Sequence, residues 1–115
     1  MQYMLLIHSD EAAMRSAPAE GTARMHAAYM AYTEVLHQAG VVVNGNRLRP
    51  TSATTTVRVI DGKTQVLDGP YAETKEQLAG YYLIDVPDLD AALSWAARCP
   101  GAAVGAIEVR PIWTM

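Results

Sequence analysis

Two short runs, Tyr3–Ile7 (YMLLI) and Tyr81–Val86 (YYLIDV), are apolar at successive positions rather than at alternate ones. Neighbouring side chains of a strand point to opposite faces, so both faces of such strands must be kept from water. Helices can supply one cover. Residues Thr22 to Ala39 place Met25, Ala28, Tyr29, Tyr32, Val35, Leu36 and Ala39 at helical spacing, and Gly40 follows as a stop signal. A second helical pattern begins after Pro87, where Asp88 is suited to cap it, and turns Leu89, Ala92, Leu93, Ala96 and Cys99 inward.

The remaining strands fall between these helices. Val41–Leu48 (VVVNGNRL) reads as a strand with a bend or bulge at Asn44-Gly45. Thr54–Asp68 (TTTVRVIDGKTQVLD) reads as a hairpin closed by Asp61-Gly62, a pair favoured in two-residue turns. Ala106–Trp113 (AIEVRPIW) is the last strand, and Pro111 suits it to a sheet edge or a dimer seam. The segment SDEAAMRSAPAEG reads as a loop with a helical turn, and Thr74 with Gln77 predicts another turn of helix through a capping box.

The order is β-α-β, hairpin, β-α-β. It predicts an α+β, ferredoxin-like split β-α-β sandwich with an inserted β-hairpin, both helices lying on one face of an antiparallel sheet. The opposite face is then bare, and its simplest cover is a second copy, sheet against sheet. A homodimer is expected.

A chain of 115 residues with 50% hydrophobic and 18% charged residues suits a single domain over 1–115 with a real core. The formal net charge is −3, and the nine Lys and Arg residues form no run that tracks a phosphate backbone, which argues against nucleic acid as a partner. The N-terminal apolar run lacks a basic flank and ends at His8 and Asp10, so no membrane association and a cytoplasmic location are expected. Cys99 is the only cysteine, read as a small buried apolar residue. No Gly-rich phosphate loop, metal-spaced Cys/His cluster or nucleophile elbow is present, so neither metal nor cofactor is expected.

The chemistry-bearing stretch is Leu67–Tyr82 (LDGPYAETKEQLAGYY). A two-residue turn at Asp61-Gly62 sets Val57 opposite Val66 and Thr55 opposite Asp68, so the Asp68 carboxylate continues a valine-rich face. If that face is inward, desolvation raises the pKa of Asp68 and makes it a candidate general acid or base. The alternative is that Asp68 only bonds the following amides and fixes the turn. His8 ends the first strand on the Met4/Leu6 side, where it faces a pocket or caps the core. His26 and His37 lie eleven residues apart on one helix, about 16 Å along the axis, too far to share a metal. Tyr29 stands in the inward stripe and needs a hydroxyl partner if buried. Glu73 and Lys75 line a pocket mouth or form solvated surface.

The run VLDGPYAETKEQLAGYYLIDVPDLDAALSWAARCP, with YMLLI and IEVRPI at the two ends, resembles the YciI-like (YCII-related) family, in the branch named for an Asp-Gly-Pro-Phe motif. Tyr71 stands at the motif's Phe, and His8 stands where the first strand of this branch often closes with Tyr. The resemblance implies a ferredoxin-like fold assembled as a dimeric α/β barrel. It further implies acid–base chemistry by a His–Asp pair, as in distant members, one group of which resembles dehydrochlorinases of aromatic breakdown. Asp68 maps onto the motif acid, while His8 and His26 are both candidates for its partner. The implied activity is that of a cofactor-independent isomerase or lyase for a small cyclic or aromatic metabolite, with Asp68, His8 and Tyr71 catalytic. Tyr29, His26, Glu73 and Lys75 would contact the small-molecule ligand. Many members of the branch are encoded beside extracytoplasmic-function sigma factors, which implies the alternative of a non-catalytic ligand-binding or regulatory dimer.

Overall fold

A computed structural model describes residues 1–114. Strand β1 (Gln2–Ser9) is followed by a one-turn helix α1 (Glu11–Arg15) and the long helix α2 (Ala19–Gln38). Strand β2 (Val42–Arg47) leads through a 3₁₀ turn (Thr51–Ala53) to the hairpin β3 (Thr55–Ile60) and β4 (Lys63–Asp68). Strand β5 (Gln77–Asp85), helix α3 (Leu89–Arg98), a 3₁₀ turn (Pro100–Ala103) and strand β6 (Ala106–Pro111) complete the chain. The fold is α+β, with an antiparallel four-stranded sheet in the order β2-β5-β1-β6 and a separate two-stranded sheet formed by the hairpin.

Local chemistry accounts for most boundaries. Helix α2 ends in a left-handed Gly40, whose N–H donates to the His37 carbonyl at 3.0 Å while the Val41 N–H reaches Leu36 O at 3.3 Å. The Asp88 carboxylate caps α3 by accepting from the Ala91 N–H at 2.9 Å. Asp61 and Gly62 both have positive φ, as a two-residue hairpin turn requires. The β2–β5 register shifts between Val42 and Asn44, next to the Asn44-Gly45 pair.

Three expectations need correction. Helix α2 starts at Ala19 rather than Thr22, because Pro18 sits just outside the helix, where a missing N–H costs nothing. The Thr74–Gln77 segment forms no helical turn. Instead Gln77 opens β5 opposite Ser9, and its side chain accepts from the Glu11 N–H at 3.0 Å. Sheet pairing outweighs a single isolated turn, whose nucleation is unfavourable. Leu89 and Leu93 are exposed, because α3 meets the sheet through the narrow stripe of Ala92, Ala96 and Cys99.

The core lies between one face of the sheet and the helices: Tyr3, Leu5 and Ile7 of β1 and Ile84 of β5 meet Tyr32 and Leu36 of α2 and Ala92 and Ala96 of α3. Tyr32 donates its hydroxyl to the Trp95 carbonyl at 2.7 Å, tying α2 to α3, and meets Tyr82 edge to face at 5.5 Å. Among the described residues no helix is long and apolar enough to cross a membrane.

Candidate functional site

Alternation along β1 sends Tyr3, Leu5, Ile7 and Ser9 to the helices and Met4, Leu6 and His8 to the other face. The register brings Leu83 beside Met4 and Tyr81 beside Leu6 from β5, with Arg110 and Glu108 in the same rows from β6. Asn44 and Asn46 of β2 flank Leu83 and Tyr81 on the far side. The open face therefore has an apolar centre and a polar margin.

His8 stands at one end of that face. Its Nε2 is shut off from solvent and lies against Oε1 of Glu108, off the line of a hydrogen bond. The pair becomes an ion pair when the imidazole is protonated. A bulge in the β1–β5 pairing falls between Ile7 and His8, which shifts the end of β1 relative to its neighbour. Beyond it the Glu11 carboxylate binds Thr51 twice, accepting from the N–H at 2.8 Å and the hydroxyl at 2.7 Å. This contact fixes the root of the hairpin to the end of β1. Sequence reasoning missed Glu108, because its proximity to His8 arises only from the pairing of the first strand with the last.

Asp68 closes β4 opposite Thr55, as the two-residue turn predicts. It is exposed, and so are Val57, Val59 and Val66 of the same face. The expected inward valine face is thus not buried by the chain's own body. Nor does Asp68 fix its turn. The Gly69 N–H donates to Thr54 O at 2.7 Å and the Thr56 hydroxyl to Gly69 O at 2.8 Å, while among the described residues no hydrogen bond reaches the Asp68 carboxylate. Gly69 has φ +95°, a conformation that L side chains rarely adopt. The Tyr71 ring is exposed, with the Arg58 guanidinium 5.9 Å from its centroid.

The other candidates stand apart. Tyr29 is half-buried on the helix side of the sheet, its hydroxyl against the Cα of Gly101 and 3.8 Å from Cys99 Sγ. Burial there, and secondarily Cys99, pushes the Tyr29 hydroxyl well above its usual pKa. Burial likewise raises the Cys99 thiol and the Tyr32 and Tyr82 hydroxyls. His26 is exposed on α2, so the sheet separates both Tyr29 and His26 from His8. Glu73 and Lys75 are exposed in the segment that leads into β5. Two open depressions mark the surface, one of about 330 Å³ along Arg47–Pro50 and one of about 350 Å³ between Ala28, Val35, Arg98 and Pro100. Neither includes His8 or Asp68. No group of three or more potential metal ligands occurs among the described residues.

Comparison with known proteins identifies the family. The YCII-related domain matches residues 1–115. An uncharacterised protein of Rhizobium meliloti (strain 1021) is 40% identical over 114 residues, covering 97% of this chain and 92% of that protein. With a match over its whole length, the chain belongs to the YCII-related family.

Proposed function

We propose that this chain is a cofactor-independent acid–base enzyme, an isomerase or lyase acting on a small cyclic or aromatic metabolite in the cytoplasm. The observation that carries this reading is the unengaged Asp68 carboxylate: the turn it opens is held by Gly69 and Thr56 without its help. A carboxylate freed from structural duty is available to move a proton. His8, with Glu108 at its Nε2, supplies the second acid–base group, and Tyr71, three residues beyond Asp68 in the chain, a further hydroxyl. The working unit is a homodimer in which ferredoxin-like sheets face each other as a dimeric α/β barrel. The strand order β2-β5-β1-β6, with α2 and α3 on one face, supports that architecture.

One observation favours a second reading. Asp68 is open to solvent in the protomer, as expected of a ligand-binding or regulatory dimer that works with a sigma factor and performs no chemistry. A thermal-shift screen of cyclic and aromatic metabolites followed by proton exchange separates the two. The best hit is incubated in D₂O with the wild type, Asp68→Asn and His8→Asn, and deuterium uptake is followed by NMR. Wild type should label the ligand, and Asp68→Asn should bind it and label it about 10²-fold more slowly. Binding without labelling by the wild type would replace the enzyme by the binding dimer.

A further inference from the structure

The protomer is a plate of 47 × 45 × 18 Å. A depth of 18 Å holds one sheet and one layer of helices, so none of the described residues lies over the open face of the sheet. The radius of gyration is 16.1 Å, against about 13 Å for a compact chain of this length. The exposed surface is 8184 Å², where a compact monomer of this mass exposes about 6,200 Å². The excess, about 2,000 Å² per chain, exceeds the roughly 800 Å² that each partner contributes to an ordinary stable interface.

The hairpin accounts for much of this shape. It is rooted at the Glu11–Thr51 contact, and β3 and β4 pack substantially only on each other. Val57, Val59 and Val66 form one side of it and are 60%, 66% and 62% exposed. Two strands alone do not hold together well in water, and a β-branched apolar face needs a cover. The same chain presents a second uncovered surface, the Met4/Leu6/Tyr81/Leu83 centre of the open sheet face. A twofold dimer can satisfy both at once, because each copy offers both the arm and the sheet.

We infer that the β3–β4 hairpin is an exchanged arm. Its valine face closes on the partner subunit along the margin of the facing sheets, so that the space over His8 and Glu108 is walled only in the dimer. This inference rests on the dimer proposed above. The recognised partner is a second copy of this chain, met through a surface of β-branched side chains.

Two measurements test this. Hydrogen exchange by mass spectrometry on peptides from residues 55–68 is read at protein concentrations below and above the dimer dissociation constant. The second is analytical ultracentrifugation of the wild type and of Val57→Lys/Val66→Glu, an opposite-charge cross-strand pair at side chains exposed in the protomer, which should leave its circular dichroism unchanged. The expected results are hairpin amides that become protected as dimer forms, and association weakened about tenfold or more, towards monomer, in the variant. Hairpin amides that exchange freely in a stable dimer, or protection already complete in the dilute monomer, would overturn the arm and leave the dimer standing. A variant that dimerises as well as the wild type would overturn it too. A wild type that stays monomeric throughout would remove both the arm and the dimer.

Discussion

The four-stranded sheet and the hairpin are built by the same rules and end in opposite conditions. In β1 every second residue from Tyr3 to Ser9 is buried, while in β4 all six residues are exposed. Both have the expected pairing and side-chain alternation. The difference is that α2 and α3 lie across one face of the sheet, while among the described residues no element packs substantially across the hairpin. Pairing and turn chemistry are enough to form a hairpin with the intended register. They do not decide whether its apolar face is inside or outside.

The contrast is sharpest in the core. Leu36 is fully buried between α2 and the sheet, so Leu36→Ala should lower stability by about 2–5 kcal/mol, read from urea unfolding. Val57→Ala, examined where the protein is monomeric, should change it by less than about 0.5 kcal/mol. Equal losses at the two positions would mean that the hairpin is packed within the protomer after all.

A smaller effect is expected where the hairpin returns to the body. Gly69→Val forces a β-branched residue to φ +95° and should cost about 1–3 kcal/mol, measured by the same unfolding. An unchanged midpoint would show that this turn relaxes freely and does not hold the arm in place.

The gentlest test is pH. Tyr29, Tyr32, Tyr82 and Cys99 all belong to the helix-covered body, and burial raises each of them. The folded state therefore keeps these protons to higher pH than the unfolded chain. Their contribution is complete below the unfolded values, about 8.5 for Cys and 10 for Tyr, and is lost as pH rises past them. The melting temperature should hold steady from pH 7 to 8, as far as these groups are concerned, and fall between about pH 9 and 11. A flat profile to pH 11 would mean that the core hydroxyls are wetter than their surroundings indicate.

What the sequence by itself determined was local. The Asp88 cap, the Gly40 stop, the Asp61-Gly62 register and an irregularity beside Asn44-Gly45 depend on residues within one turn or one strand of each other. The family was equally legible, because the Asp68-Gly69-Pro70 motif and its flanks form one continuous run. Long-range packing decided the rest. Glu108 reaches His8 only because β6 pairs with β1, and Gln77 joins a strand only because Ser9 lies opposite it. Leu89 and Leu93 share the helical periodicity of buried residues, yet the close approach of α3 through alanine leaves them outside. Asp68 shows the same division: its place on a valine face follows from a period of two, while the exposure of that face depends on which bodies can reach it. Periodicity ranks the faces of an element by polarity, but burial is a property of the neighbours that arrive, and these are distant in sequence.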